Sequence, residues 1–266
     1  IAPSGSWGLQ GLTRGSMRTG FVGSGSLKGV FFDAGVNSYF WPRAILLTHT
    51  HTDHTAALAD ICTGGEKPLD LLLPGPAVQP LLQHLYGVAA IADCVVQKEL
   101  QQSGPLTTPP ERFRFITLHG MNDGETALIS GGSGSALMIR AVQLDHVVPC
   151  LGYVVCELRN SLKKEFVGMD KTTLAVKKKA GEQMTEQKEV PLLMFCGDTK
   201  ASRIHELFGG ETTGFPAPVV LIECTFLEPH AGEINGHCDW PSLEPLIRRN
   251  YSTTTFVLIH FSRRYT

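Results

Sequence analysis

The sequence predicts a layered α/β domain. Short runs of branched apolar residues recur along the chain, many of them end in a polar or charged residue, and helical periodicity appears between some of them. At 266 residues the chain is long enough for a large core. Hydrophobic residues at 42% with charged residues at 18% are ordinary for a globular protein. No window reaches the roughly eighteen consecutive apolar residues of a membrane-spanning helix, so no membrane partner is expected. No repeat or linker interrupts residues 1–266, which read as a single domain.

Residues 1–26, rich in Gly and Ser, predict exposed loops. Residues 28–33 predict a strand ending at Asp33, whose carboxylate serves either a turn or the orientation of a metal-binding histidine. Residues 44–47 predict a buried strand and 55–61 the start of a helix. A strand at 69–76 precedes a helix at 77–86, with Val78, Leu81, Leu82 and Leu85 inward and His84 at the surface. Residues 101–111 read as a loop, 112–119 as a half-exposed strand, 120–125 as a turn and 131–135 as a flexible tip. Further strands are predicted at 137–144, 153–156, 192–196, 219–223 and 254–259, with a short helix at 243–249. Residues 159–189 are dense in charge and read either as a solvated excursion or as a cationic flap over a polyanion.

The chemistry concentrates at Thr48-His49-Thr50-His51-Thr52-Asp53-His54, between the strand at 44–47 and the helix after it. Three His and one Asp within six residues are poorly explained by packing, and imidazole with carboxylate suits Zn²⁺, with Mn²⁺ or another divalent ion as the alternative. His146, Asp198 and His260 also follow apolar strands. Two ions require about this inventory. His49, His51 and His146 are assigned to the first, Asp53, His54 and His260 to the second, and Asp198 to a bridge. A hydroxide held between them is the expected nucleophile, because coordination lowers the pKa of water to about 7. Asp53 is placed to accept that water's proton. His119, His205 and His230 are read as structural or surface residues.

Residues 48–54 resemble the signature of the metallo-β-lactamase superfamily, whose fold is an αββα sandwich. Three further pieces resemble the ribonuclease Z (tRNase Z) family, which removes 3′ trailers from precursor tRNA. They are residues 145–153 (Asp-His-Val-Val-Pro-Cys-Leu-Gly-Tyr), Gly197-Asp198-Thr199, and His260-Phe261-Ser262-Arg263-Arg264-Tyr265. Glu223-Cys224-Thr225-Phe226 and Gly236-His237 match family positions as well. The resemblance spans roughly residues 28–266 and implies a zinc-dependent endoribonuclease whose ligands are the residues already assigned. It also implies that His237, with Glu223 as its acidic partner, protonates the leaving 3′ oxygen, which departs poorly as an alkoxide. A loop histidine stabilised by Asp239 is the competing reading of His237.

Between His146 and Asp198 many family members carry a flexible arm with a Gly-Pro tip. Here residues 158–190 are lysine-rich and lack that tip, and Leu162-Lys163-Lys164-Glu165-Phe166 looks like the variant of short eukaryotic, plant-type members. The net charge of −2 gives no global attraction for nucleic acid. RNA docking is therefore expected to rest on Lys163, Lys164, Lys177, Lys178 and Lys179, with Arg263 and Arg264 beside the site. The resemblance further implies a homodimer in which one subunit's arm contacts tRNA held by the other. The alternative is a small-molecule hydrolase on the same dinuclear platform, acting on a thioester, lactone or cyclic phosphodiester.

Seven cysteines without a C-x-x-C pair, most in apolar surroundings, predict buried reduced thiols in a reducing intracellular compartment. Nucleus, cytoplasm and mitochondrion are not distinguished. The first eight residues carry neither the basic nor the apolar region of a secretory signal. The chain opens on Ile1 rather than Met, which leaves room for a removed leader, and it stops at Thr266 where relatives usually continue.

Overall fold

The computed structural model describes residues 7–14, 18–37, 41–63, 67–94, 104–130, 136–210, 215–229 and 236–265, at 12–14 for the backbone alone. The expectations for residues 1–6, for the tip at 131–135 and for His230 lie outside the described residues.

Adjacent residues of a strand face opposite ways, and the apolar runs use both faces. On β3 (Val30–Phe32), Phe31 packs on one side of its sheet and Phe32 on the other. The first sheet orders β1 (Trp7–Arg14), β2 (Arg18–Gly25), β3, β4 (Ala44–Leu46), β5 (Leu69–Pro74) and β6 (Ile116–Met121). The second mirrors it. Its order is β12 (Thr255–Ile259), β11 (Val219–Glu223), β10 (Thr185–Phe195), β9 (Cys150–Leu162), β8 (Ala136–Leu144) and β7 (Thr126–Ser130). Phe32, Leu46 and Leu72 meet Ile139, Tyr153, Phe195 and Leu221 between the sheets.

Outside the first sheet lie α1 (Thr52–Thr55), α2 (Leu58–Thr63) and α3 (Val78–Asp93), with Ile61, Leu81 and Leu85 buried against Ile45 and Leu71. Outside the second lie α5 (Ala201–Phe208) and α6 (Trp240–Asn250), whose Ile204, Leu243 and Leu246 pack on Met194 and Val220. The layers are therefore αββα.

Parallel pairing fixes where the site forms. β3, β4 and β5 run parallel, and so do β10, β11 and β12, with Phe32 opposite Leu46 and Glu223 opposite Ile259. The loops after these strands therefore emerge side by side at one edge, the usual place for ligands of parallel sheets.

Two expectations need correction. The Gly-rich start is an antiparallel hairpin over β1 and β2, with Trp7 opposite Gly25 and Arg14 opposite Arg18. Its glycines serve close packing: a Cβ on Gly23 would lie 2.3 Å from the Leu27 carbonyl oxygen. Residues 112–115 are not a strand. Glu111–Phe113 form a 3₁₀ turn after Pro109-Pro110, which buries Phe113 and leaves Arg114 over the Phe115 ring at 4.5 Å. The charged stretch, read as a solvated excursion or a cationic flap, is exposed and ordered by secondary structure. β9 and β10 continue past the body as a ribbon pairing Glu157 with Val190 and Leu162 with Thr185. It carries the exposed helix α4 (Lys171–Lys179), whose first turn is capped by the Asp170 carboxylate. Finally, α5 is a helix that the sequence reading did not anticipate.

Candidate metal centre

All the histidines and carboxylates assigned above meet at the loop edge. His49 follows β4 and is fully buried; His51 and Asp53 line the opening, and His54 sits inside α1. His146 comes from the turn between β8 and β9, Asp198 from the end of β10, and His260 from the end of β12. Ligand-type atoms of His49, His51 and His146 lie within 4.8 Å of one another, as do those of Asp53, His54 and His260, and those of His49, His54 and Asp198. Asp198 faces both groups, 3.8 Å from His49 Nε2, 3.6 Å from His54 Nε2 and 3.4 Å from His260 Nε2.

The imidazoles are held from behind. His54 Nδ1 donates to Asp33 Oδ2 at 2.8 Å, and Asp33 also accepts from the Thr48 amide and hydroxyl. Thr48 Oγ1 lies 3.0 Å from His49 Nδ1. His146 Nδ1 donates to the Gly236 carbonyl at 2.7 Å. Gly236 has φ of 76°, and a Cβ there would lie 2.7 Å from His146 Nδ1. Each such bond occupies one ring nitrogen and turns the other towards the centre, the usual arrangement behind metal-binding imidazoles. Asp33 and His260 both adopt left-handed backbone conformations, φ 58° and 64°, which is costly for residues with a Cβ and common at functional sites.

Three atoms test whether this donor set fits a metal. His49 Nε2, His54 Nε2 and Asp198 Oδ2 are buried and make no hydrogen bond to any described residue. A buried polar atom without a partner costs about 1–3 kcal/mol, and three converging on one point fit cation ligation. The charge states of His49 and Asp198 agree. Burial pushes His49 well below the ordinary imidazole range, which leaves it neutral as ligation requires. Burial would raise Asp198, but the charges of His54 and His260 outweigh it and hold the carboxylate well below its usual range.

His237 stands beside the cluster. Its Nδ1 donates to Glu223 Oε1 at 3.0 Å, and its ring stacks on His260 with centroids 5.5 Å apart. Burial would lower its pKa, but the hydrogen bond and charge of Glu223 outweigh it and raise it. Asp239 instead caps α6 through the Ser242 amide, so the competing reading of His237 has no support in the structure. Glu223 is fully buried and accepts from Thr199 N, Thr225 N, Thr225 Oγ1 and His237 Nδ1. His119 pairs with Asp70 at 2.8 Å and His205 with the Ser242 carbonyl at 2.6 Å, both away from the centre.

Thr48, Thr225 and Gly236 are supports the sequence reading did not assign. All three lie within stretches already noted, but Thr225 and Gly236 act through hydrogen bonds across 12 to 90 positions of sequence, and Thr48 joins its neighbour His49 to the distant Asp33. The cations proposed for RNA divide. Lys163 and Lys164 lie at a 3₁₀ turn just past β9, and Lys177, Lys178 and Lys179 end α4, with Lys177 tied to Glu182 at 2.8 Å. Arg263 and Arg264 lie on a 3₁₀ turn after His260, with Arg264 over the Phe226 ring at 5.2 Å.

The chain has the metallo-β-lactamase fold. It superimposes on the metallo-β-lactamase fold protein YhfI from Bacillus subtilis with a TM-score of 0.57 at 14% identity, covering 97% of this chain and 87% of that one. Among proteins of this fold its sequence is similar to tRNase Z. It is 25% identical to tRNase Z TRZ1 of Arabidopsis thaliana over 239 residues, 84% of this chain and 73% of that protein. It is 27% identical to the chloroplastic tRNase Z TRZ2 of the same plant over 142 residues, 48% of this chain and 37% of the relative. The short form of human tRNase Z superimposes with a TM-score of 0.51 at 16% identity, covering 100% of this chain and 90% of that one. No protein-family model matches the chain.

Proposed function

We propose that this chain is a metal-dependent endoribonuclease of the tRNase Z type, cutting the phosphodiester at the 3′ end of precursor tRNA and releasing the trailer. One observation carries the reading: two triads of metal-type donors lie on either side of Asp198, which faces residues of both, with a Glu223-held imidazole on the same rim. Similarity to the plant tRNase Z proteins supplies the substrate.

We assign His49/His51/His146 and Asp53/His54/His260 as the two sets that would hold a pair of ions, with Asp198 placed to serve both, and take zinc as the metal. Divalent ions there supply Lewis acidity and a water acidified to near neutrality. The chain's own residues do the rest. Asp53, on the open side, would accept a proton from the attacking water. His237 Nε2, turned away from Glu223, delivers a proton to the departing 3′ oxygen, while Glu223 accepts from Nδ1–H and stabilises the imidazolium that carries that proton. Arg263 and Arg264 attract the flanking phosphates. Lys163, Lys164 and Lys177–Lys179 offer further phosphate contacts on the arm.

Residues 1–266 are read as one hydrolase domain with its arm at 159–190. A homodimer would let the arm of one protomer reach RNA bound by its partner. Six buried free thiols support a reducing compartment. Among the described residues no helix is long and apolar enough to cross a membrane.

The test is cleavage of a precursor tRNA with a 3′ trailer, with added Zn²⁺ or Mn²⁺ and the cut mapped. The wild type should cut just after the discriminator base, and Asp53→Ala should lose about a hundredfold or more in rate. A folded, metal-loaded wild type that leaves the trailer intact contradicts the reading.

A further inference from the structure

One hydroxyl touches both halves of the chemistry. Thr225 Oγ1 lies 2.6 Å from Glu223 Oε2, 3.0 Å from His260 Nδ1 and 3.3 Å from His237 Nδ1. A hydroxyl has a single proton, and the shortest contact, to a carboxylate, claims it. The Thr225 oxygen is then left to accept, so His260 must present Nδ1–H to it. His260 Nε2 is thereby turned to Asp53 Oδ2 at 3.2 Å and Asp198 Oδ2 at 3.4 Å.

The backbone fixes the hydroxyl in place. β11 and β12 pair in parallel up to Glu223 and Ile259, and the pairing continues beyond them. Cys224 N donates to the Ile259 carbonyl at 2.9 Å and Ser262 N to the Thr225 carbonyl at 2.8 Å. The two loops cannot slide past one another without breaking these bonds. Thr225 is 6% exposed, so water does not readily replace its hydroxyl.

We propose that Thr225 is a positioning residue that couples ion binding on the His260 side to the orientation of the Glu223–His237 pair. The proposal rests on the dinuclear reading above. Its γ-hydroxyl orients His260 from behind by accepting from Nδ1–H and, by donating to Glu223, sets the carboxylate that holds His237. Loss of the hydroxyl frees the His260 ring to flip and takes one of four donors from a buried carboxylate. A disturbance on one side thus reaches the other.

The experiment compares Thr225→Val, which keeps the shape and removes the hydroxyl, with Thr225→Ser, which keeps the hydroxyl. Zn²⁺ is titrated into each full-length, metal-stripped protein against a chromophoric chelator. Thr225→Val should bind one of the two ions about 10–100-fold more weakly, with the other unchanged, and Thr225→Ser should titrate as wild type. At Zn²⁺ concentrations that saturate every variant, Thr225→Val should still lower kcat for precursor tRNA by about tenfold. In a His237→Ala background it should lower kcat no further, because the pair it orients is already gone. Two wild-type affinities in Thr225→Val, or a defect in Thr225→Ser equal to that of Val, would overturn the proposal. If the wild type does not cut precursor tRNA, the functional reading fails while the titration still decides the role of Thr225.

Discussion

His146 shows how little it takes to aim a ligand. Its Nδ1 is held by one carbonyl, and that carbonyl belongs to a residue in a conformation that favours glycine. Gly236→Ala should push the ring off its site and weaken binding of the first ion about 10–100-fold, read by metal titration, with the second ion unaffected. Glu223 poses a different constraint. It is a buried carboxylate met by four donors, and Glu223→Gln puts an amide NH₂ among them. That change should cost about 2 kcal/mol of stability and release His237, lowering cleavage by about a hundredfold. Denaturant melts and single-turnover rates measure the two effects separately. The ligand side chains are legible in the sequence because they cluster at or just after the ends of apolar strands, where a carboxylate or imidazole has little packing value. Their supports are less legible. Asp33 stands out as a strand-end acid, whereas Thr48 looks like any strand residue until Asp33 and His49 lie beside it.

The elements divide in the same way. Strands whose apolar residues face both layers, such as β4, β5 and β11, read clearly as short continuous runs. The hairpin of β1 and β2 does not, because its glycines serve close approach and carry no side chain to form a pattern. α5 buries Ala201, Ile204 and Phe208 at helical spacing. That pattern is present in the sequence but short, and it hides behind the more conspicuous Gly-Asp-Thr motif. The charged stretch lacks a core of its own, and its order comes from continuing a ladder begun in the body. The arm can therefore be tested as a unit. Joining Leu162 to Thr185 by an Asn-Gly turn should leave the body folded and able to bind metal, since Leu162 and Thr185 already pair. Precursor tRNA binding should weaken, and the slope of log affinity against log salt should fall by about one for each phosphate contact removed. An unchanged slope in filter binding would show that the arm does not touch RNA. A second element-level prediction concerns thiols. Cys94, at the end of α3, is exposed, while the other six cysteines are buried. Burial pushes Cys62 and Cys196 up to about 12. One thiol per chain should react promptly with a disulfide reagent at neutral pH, and the other six only after unfolding.

At the scale of the molecule, the two sheets meet at an edge crowded with imidazoles and carboxylates, three of whose atoms are buried without a hydrogen-bond partner among the described residues. Bound ions should therefore hold the sandwich together as well as serve the reaction. Each ion present at a hundred times its Kd adds about 2.7 kcal/mol, so chelation should lower the melting temperature by about 10 °C or more. An unchanged melt would mean that the cluster holds no ion. The fold alone does not choose the substrate, because the same platform could serve a thioester, a lactone or a cyclic phosphodiester. The most direct measurement gives one metal-loaded preparation a trailer-bearing precursor tRNA and each of those small substrates in parallel. A single cut after the discriminator base, with no turnover of the small substrates above background, is the predicted result. Turnover of a small substrate by a preparation that leaves the precursor whole would contradict the account.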